Sequence, residues 1–301
     1  MFFWRNTVLA LLVAACLLAC SNRDEKVECN RKNAEFSRNL EINPKDTGSY
    51  LERGVLYARR GDLDRALADF NRARQFKPKD AQAYYCLSIA QRGQEDWDRI
   101  IADLNASLEL DHQNADVYTY RGLVYYQIGN LNQAMADYQQ ALELNPNNEE
   151  AYRFRAAAYI MQGDWERALL DCNRALDLNP KDAVAYINRG IAYYRQGELN
   201  LALADYNRAL AIDPKFAEAY SCRGSAFFWK GYHYRALVDV NRALEINPLD
   251  AKAYFYKAQL LDQTGKKREA LAAYQGFLKY GANQPKGQVE IANQRIQALE
   301  K

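Results

Sequence analysis

Apolar residues recur at the spacing of amphipathic helices, in a pattern that repeats every 34 residues along most of the chain. In one such stretch the pattern predicts a helix over Ala183–Gln196 and a second helix over Leu199–Ile212, with Gly197 at the turn. Contiguous stretches with this two-helix pattern predict seven helical hairpins. We call them repeats 1 to 7: residues 47–80, 81–114, 115–148, 149–182, 183–216, 217–250 and 251–284.

Prolines, tyrosines and glycines keep the register of these repeats. An asparagine or aspartate before the proline, as at Asn179 and Asp213, is expected to end the second helix, and the proline prevents its continuation. Small residues, such as Gly190 and Ala202, are expected to let the two helices of a hairpin approach closely. The recurring positions are Pro44, Pro78, Pro146, Pro180, Pro214 and Pro248, with His112 in the gap; Tyr50, Tyr84, Tyr118, Tyr152, Tyr186, Tyr220 and Tyr254; and Gly61, Gly129, Gly163, Gly197, Gly231 and Gly265.

A basic residue in the first helix and an aspartate in the second also recur, as at Arg189 and Asp205. These charges could form a ladder that binds a ligand, or they could form an ion pair that fixes the register of each hairpin. We favour the ion pair. Leu87 and Ala273 replace one member of the pair, and both lie in repeats that also depart from the pattern elsewhere. If such pairs are buried, they specify geometry more than they add stability.

Two segments carry the pattern most clearly: Ala-Tyr-Ile-Asn-Arg-Gly-Ile-Ala-Tyr-Tyr (residues 185–194) and Ala-Leu-Ala-Asp-Tyr-Asn-Arg-Ala-Leu (residues 202–210). They resemble tetratricopeptide repeats, and in particular those of bacterial proteins. The resemblance covers residues 47–284 and implies an all-α fold, a right-handed α-solenoid of seven helix–turn–helix units. Residues 34–46 are expected to form an N-terminal capping half-repeat, and residues 285–301 a C-terminal capping helix.

In the family that these repeats resemble, the first helices line a concave groove that binds proteins or peptides. The resemblance therefore implies partner contacts at first-helix positions that vary between repeats, although some of these side chains could instead fill gaps between repeats. Tyrosine, phenylalanine and arginine among them are residue types that dominate binding interfaces. The candidates are Tyr120, Tyr126, Arg153, Phe154, Ile187, Asn188, Tyr194 and Phe228, with Tyr126, Phe154 and Tyr194 favoured.

The first residues differ from the rest of the chain. Arg5 precedes an apolar run over residues 7–18, too short to cross a bilayer comfortably, and the run ends in Leu-Leu-Ala before Cys20. This arrangement resembles the lipobox of bacterial lipoproteins, which implies a signal peptide over residues 1–19 and acyl chains on Cys20. Ala-Ala before Cys16 is a weaker competitor, and an ordinary secretory signal or an uncleaved anchor is the alternative.

The charged residues after Cys20 predict a flexible tether over residues 20–33. By resemblance to lipoproteins, Ser21 after the lipidated cysteine favours the periplasmic face of the outer membrane, if the cell is Gram-negative. Stable anchoring would follow from the acyl chains, because each buried methylene contributes about 0.8 kcal/mol.

Composition argues against several other functions. A formal net charge of +2 is far from the basic excess of nucleic-acid-binding proteins. The chain has 2 histidines and no paired Cys-x-x-Cys motif, so we expect no metal site and no cofactor. The cysteines after Cys20 have no regular spacing, and we expect Cys172 to be buried and inert in place of a core aromatic residue.

The sequence therefore predicts a membrane-anchored scaffold or adaptor of the cell envelope that binds other proteins or extended peptides. The alternative is a periplasmic chaperone or assembly factor for a secretin or pilus complex, which would release its client once that client has folded. An enzyme with its active site in the groove is the least favoured alternative, because no acid, base and nucleophile converge in the repeats.

Overall fold

A computed structural model of the chain describes residues 23–91, 96–281 and 286–300. The predicted signal peptide and Cys20 lie outside these described residues. The described part of the chain consists of helices and turns, and no strand is found in it. None of its helices is both long and apolar enough to cross a membrane. Its contacts divide it into two compact units: the N-terminal unit ends at Asn148 and the C-terminal unit begins at Glu149.

The helices follow the predicted hairpins closely. In repeat 5 the first helix ends at Arg195, with Gln196 as its C-cap, and the second helix has the predicted bounds. The N-terminal unit contains α1 (Arg23–Ile42), α2 (Thr47–Arg59), α3 (Leu63–Phe76), α4 (Ala81–Gln91), α5 (Trp97–Leu110), α6 (Ala115–Gln127) and α7 (Leu131–Leu144). The C-terminal unit contains α8 (Glu149–Gln162), α9 (Trp165–Leu178), α10 (Ala183–Arg195), α11 (Leu199–Ile212), α12 (Ala217–Trp229), α13 (His233–Ile246), α14 (Ala251–Gln263), α15 (Lys267–Tyr280) and α16 (Lys286–Leu299).

The recurring glycines at the turns are required by backbone conformation. Gly129 has a φ of 85° and Gly197 a φ of 86°, in the left-handed region that side chains disfavour. A Cβ at either position would meet no atom within 4 Å, so steric space does not explain the choice. The second helices end as predicted, since Asn179 and Asp213 are C-caps and a proline follows each of them.

Glycines within the first helices make room for an aromatic ring of the second helix. A Cβ at Gly190 would lie 2.6 Å from the Tyr206 ring, and one at Gly122 would lie 2.7 Å from the Tyr138 ring. We expected Ala202 to be the neighbour of Gly190, but the closest atoms to the built Cβ belong to Tyr206. The aromatic ring approaches most closely because it reaches across the hairpin, whereas an alanine side chain is too short.

The recurring arginine and aspartate form the predicted ion pair within each regular hairpin. Arg189 donates from Nε to Asp205 Oδ2 at 2.8 Å and from Nη2 to Oδ1 at 2.7 Å. Its Nη1 also donates to Asn173 in the second helix of the preceding repeat, at 2.8 Å. The guanidinium thus joins its own hairpin to its neighbour, which confirms the structural interpretation. The same bidentate pair joins Arg53 to Asp69, Arg121 to Asp137, Arg155 to Asp171, and Arg223 to Asp239.

The N-terminal helix α1 begins at Arg23, inside the segment for which we expected a flexible tether. Oppositely charged side chains three and four residues apart explain this difference. Glu28 accepts hydrogen bonds from Arg31, and Lys32 lies 3.8 Å from Glu28. These pairs support a helix although its residues are too polar to suggest one. The C-terminal helix α16 packs Val289, Ile296 and Leu299 against the last repeat, as predicted for a cap.

The four described cysteines are free thiols, and all of them are buried. Burial raises the pKa of the Cys172 thiol well above its ordinary value, so the thiolate is strongly disfavoured at neutral pH. This confirms that Cys172 is a buried core residue with little reactivity.

Candidate binding surface

The first helices of the C-terminal unit lie side by side, because α8 packs on α10, α10 on α12, and α12 on α14. Counted from the start of each repeat, the fifth and sixth residues of these first helices are buried between neighbouring helices. Their second and twelfth residues are partly exposed. We define the first-helix surface as the partly exposed side chains of Val184, Tyr194, Glu218, Phe228 and Lys252.

Four of the predicted partner contacts occupy the buried positions. They are Arg153, Phe154, Ile187 and Asn188. Asn188 is 1% exposed and donates from Nδ2 to the Arg153 carbonyl oxygen at 3.3 Å, which ties α10 to α8. Direct contact with a partner at these four side chains would require the helices to separate. Variation at their positions instead reflects packing between unlike neighbours, since each layer must fill a different gap.

Arg153 is surrounded by carboxylates. Its Nε lies 3.0 Å from Asp182 Oδ2, and it also lies within salt-bridge distance of Glu149 and Glu150. Its guanidinium covers the ring of Phe154 at 4.5 Å from the centroid. Burial, together with a hydrogen bond to Asp182, raises the pKa of Glu149 to about 8. Arg153 therefore neutralises a buried acidic group and fixes Phe154 in place.

The two predicted contacts in the N-terminal unit differ in exposure. Tyr126 is buried. Tyr120 is partly exposed, its hydroxyl donates to the Ser88 carbonyl oxygen at 3.4 Å, and its ring meets Tyr85 edge to face at 6.3 Å between centroids. Tyr120 thus presents part of its ring to solvent while its hydroxyl is anchored to the preceding repeat.

Tyr194 and Phe228 are the two predicted contacts that lie on the first-helix surface. The Phe228 ring is at the centre of an aromatic cluster, 5.6 Å from Tyr256, 5.7 Å from Trp229 and 6.0 Å from His233. The hydroxyls of Tyr194 and Tyr256 are 3.5 Å apart. This cluster joins α10, α12 and α14 and gives the surface a rigid aromatic patch, which is the kind of surface that anchors binding partners.

Two charged residues on this surface had no part in the sequence prediction. Glu218 and Lys252 hold the second position of repeats 6 and 7, and neither forms a salt bridge with any residue that the structure describes. Lys252 donates from Nζ to the Cys222 sulfur at 3.4 Å. A lysine with no carboxylate within salt-bridge distance, beside aromatic rings, can donate a hydrogen bond to a carboxylate or carbonyl oxygen of a ligand.

Burial shifts the pKa values of the Glu218, Lys252 and Cys222 side chains. Burial raises the pKa of Glu218 to about 7, although Lys252 opposes the shift. Burial opposes the charge on Lys252, but Cys222, Tyr256 and Glu218 outweigh it and the pKa of Lys252 is raised. Burial also raises the pKa of Cys222 to about 11. At neutral pH the surface therefore carries a cation at Lys252 and a carboxyl group near its titration point at Glu218, and the Cys222 thiol buried beneath them is neutral.

The sequence did contain a signal for this pair. Glu218 and Lys252 stand at the same position in consecutive repeats and carry opposite charge, a relation that appears when the repeats are aligned. No cluster of three or more His, Cys, Asp or Glu side chains suited to a metal ion is found in residues 23–91, 96–281 and 286–300. The chemistry that this surface offers is noncovalent recognition of aromatic, carboxylate and amide groups.

Solved structures with the same fold include the APC/C hetero-tetramer Cut9–Hcn1, with a TM-score of 0.73, 18% identity and coverage of 85% of this chain. This chain spans 52% of that chain. A tetratricopeptide repeat protein from Parabacteroides merdae has a TM-score of 0.64 and 20% identity, with coverage of 85% and 99% of the two chains. For pilF of Pseudomonas aeruginosa the TM-score is 0.63 and the identity 16%, with coverage of 72% and 100%. At these identities the similarity establishes the fold alone.

No curated protein matches the sequence at a significant level. Family models do match it along most of the predicted array. Tetratricopeptide repeat models match residues 34–81, 115–148, 137–169 and 240–272, and a TPR repeat model matches residues 156–197 and 192–231. The hairpins, their turn glycines and their structural neighbours agree with these matches, and the α-solenoid fold class predicted from the sequence is confirmed. The chain belongs to the tetratricopeptide-repeat proteins.

Proposed function

We propose that this protein is a lipid-anchored adaptor of the cell envelope. Acyl chains on Cys20 hold it at the membrane, on the periplasmic face of the outer membrane in a Gram-negative cell. The first-helix surface of the C-terminal unit binds a partner protein or an extended peptide segment. Tyr194 and Phe228 supply aromatic contacts, and Lys252 receives a carboxylate or carbonyl group of the partner.

The binding proposal rests on one observation: some first-helix residues pack the repeats together, and others stay partly exposed. The ion pairs, the glycine–aromatic contacts and the fifth and sixth positions account for the packing of the repeats. Tyr194, Glu218, Phe228 and Lys252 remain partly exposed on adjacent helices. Aromatic side chains that are held rigid and stay accessible favour binding, because little conformational entropy is lost when a partner contacts them.

Substitution of the aromatic pair tests the binding proposal. We expect Tyr194→Ala with Phe228→Ala to reduce partner recovery after crosslinking in intact cells, since truncation of an interface aromatic residue costs about 2 kcal/mol or more. Leu170→Ala is a matched control, because Leu170 is 68% exposed on the second helix α9, away from the first helices. Unchanged partner recovery in the double variant, with normal helical content, would exclude this surface.

The anchor proposal rests on the sequence around Cys20 and is tested separately. We expect Cys20→Ser to move the protein from the membrane fraction to the soluble fraction after cell lysis and a high-salt wash, because high salt screens electrostatic contacts but does not release acyl chains. Cys16→Ser is the control, because Cys16 ends the weaker competing lipobox. Retention of the Cys20→Ser protein in the membrane, or release of the Cys16→Ser protein alone, would contradict acylation at Cys20.

A further inference from the structure

The turns of repeats 6 and 7 differ from the earlier turns at the residue before the second helix. In repeats 1 to 4 this residue caps the helix, because its side chain accepts a hydrogen bond from a backbone N–H of the first turn. The capping residues are Asp62, Asp96, Asn130 and Asp164. Repeat 5 keeps an acidic residue, Glu198, at this place, although its side chain makes no capping hydrogen bond. Repeats 6 and 7 have Tyr232 and Lys266, neither of which makes a capping hydrogen bond. Helix stability does not explain these two residues.

Large aromatic side chains surround the turn of repeat 6 and extend into solvent. Trp229 is 63% exposed, and Tyr234 is 81% exposed. Tyr232 is also exposed, and its ring lies 5.4 Å from Lys230 Nζ and 5.7 Å from the Arg235 guanidinium. Exposed tryptophan and tyrosine beside lysine and arginine are typical of proteins at the boundary between lipid and water.

Positive charge is concentrated at the same two turns. The sequence between Glu218 and Asp239 contains no acidic residue. At the turn of repeat 7, Lys266, Lys267 and Arg268 follow one another, and all three are exposed. Of the acidic residues that flank these three, Asp262 is paired with Arg295, and Glu269 offsets one of the basic charges. The turn of repeat 4 is different, because Asp164 and Glu166 flank its tryptophan there. The basic excess is thus local, although the whole chain is close to neutral.

Repeat geometry brings these two turns together. Lys230 in the turn of repeat 6 donates to Asn200, 30 residues earlier, at the start of the second helix of repeat 5. Arg60 donates to Asn30 across the same 30-residue separation at 2.7 Å. Applied one repeat later, the same 30-residue separation pairs Thr264, in the turn of repeat 7, with Tyr234 of repeat 6, so we infer that the two turns are neighbours. The packing of α12 on α14 supports this register.

We propose that these two turns bind the anionic phospholipid headgroups of a membrane surface. The contact edge consists of Trp229, Tyr232, Tyr234, Lys266, Lys267 and Arg268. The aromatic rings enter the headgroup region, while the lysine and arginine side chains pair with phosphate groups of anionic lipids. A membrane is favoured over a protein partner because exposed aromatic rings are interspersed with long basic side chains, which suit a diffuse layer of negative charge. The contact does not depend on acyl chains at Cys20, and it orients the C-terminal unit against the bilayer.

Fluorescence of a single tryptophan in the full-length chain tests this proposal. The natural chain has 4 tryptophans. Trp229 is the one that remains after Trp4→Phe, Trp97→Phe and Trp165→Phe. The control chain keeps Trp165 instead, with Trp229→Phe. Both are mixed with phosphatidylcholine vesicles, with or without phosphatidylglycerol, that contain brominated lipid as a quencher. Circular dichroism establishes that each variant retains its helices, and flotation reports membrane attachment of the whole chain independently of quenching.

We expect brominated lipid to quench Trp229 in vesicles that contain phosphatidylglycerol, and to leave Trp165 unquenched. Combined Lys266→Gln, Lys267→Gln and Arg268→Gln should bring Trp229 quenching down towards that of Trp165, because each basic residue near an anionic surface contributes about fivefold to partitioning. High salt should have the same effect on the chain with its basic residues intact. Absence of Trp229 quenching, or equal quenching without phosphatidylglycerol, would overturn the proposal. Flotation and Trp229 quenching that both persist in Cys20→Ser with phosphatidylglycerol vesicles at low salt support it, because the edge then binds without the anchor.

Discussion

Repeats 2 and 3 are consecutive hairpins of the N-terminal unit, and they close in different ways. In repeat 3, Arg121 holds Asp137 with two hydrogen bonds of 2.9 and 2.7 Å. In repeat 2, Leu87 stands in place of the arginine. Asp103 accepts a hydrogen bond from Gln91 Nε2 at 2.8 Å, and an arginine of the preceding second helix lies 3.7 Å away. Within its own hairpin, the aspartate of repeat 3 therefore forms an ion pair. The equivalent aspartate of repeat 2 has a neutral amide as its partner there.

The apolar volume of the two hairpins is also distributed differently. Gly122 of repeat 3 lies under the Tyr138 ring, whereas the equivalent residues of repeat 2 are Ser88 and Leu104. Ser88 and Leu104 are both fully buried, and the Ser88 hydroxyl donates to the Tyr85 carbonyl oxygen at 2.7 Å. A larger residue on one helix is matched by a smaller one on the other. In both hairpins the space between the two helices is filled, and the buried aspartate has a hydrogen-bond partner. Different combinations of residues meet these two requirements.

The largest expected difference comes from the same substitution at the two aspartates. Asp137→Asn leaves the Arg121 guanidinium without a carboxylate and should destabilise its hairpin by about 3 kcal/mol. Asp103→Asn keeps an oxygen for Gln91 and removes a buried charge, so we expect a change within about 1 kcal/mol. Hydrogen exchange in α5 and α7 measures the opening free energy of each hairpin separately. Equal losses of opening free energy at the two positions would contradict the proposed difference between the two aspartates.

A double substitution tests the exchange of volume. Leu104→Tyr alone should destabilise repeat 2 by about 1–3 kcal/mol, because the ring would collide with Ser88. Adding Ser88→Gly recreates the arrangement of repeat 3 and should recover at least half of this loss. Urea unfolding of the two single variants and the double variant gives the coupling energy. Strictly additive effects would show that the two side chains do not share one space.

The smallest expected effect is a pH dependence that is centred on Asp103. Burial raises the pKa of Asp103, although Gln91 and Arg74 oppose the shift. The folded pKa therefore lies above the unfolded value, and the contribution of this group to stability is fully present below the unfolded pKa and is lost as pH rises through the folded pKa. Asp103→Asn should consequently be more favourable relative to the natural chain at pH ~7 than at pH ~4, because the substitution removes the charged form that burial disfavours. Urea unfolding at both pH values measures the difference, and an identical difference would contradict a raised pKa.

The repeats, their turns and their ion pairs could be predicted because one packing solution recurs along the chain. Gly197, Arg189 and Asp205 each have counterparts in other repeats, so their roles follow from register. The first half of helix α1, over residues 23–33, was predicted as a tether because of its polar composition, whereas the second half lies in the predicted capping half-repeat. The charge pairs that support the first half involve few residues. Ion pairs between nearby side chains favour a helix in this segment, and the spacing of hydrophobic residues does not reveal them.

The binding surface was less predictable than the fold. Variation between repeats suggests partner contact, yet the variable residues Phe154 and Asn188 are buried between first helices. Lys252 and Glu218 were missed because single charged residues on a helix look like an ordinary solvated face. Tyr194 and Phe228 were found by residue type and are partly exposed, so their role in partner binding stays a prediction.

Crosslinking in intact cells from a photoreactive residue at position 228 tests whether the first-helix surface binds a partner protein. A probe at position 170, on the exposed face of α9, is the control. We expect position 228 to capture one partner protein in the membrane fraction and position 170 to capture none. After a high-salt wash, Cys20→Ser should remove the captured complex from the membrane. Equal capture from both positions, or no capture from position 228 in a folded, membrane-bound protein, would contradict an adaptor that binds through this surface.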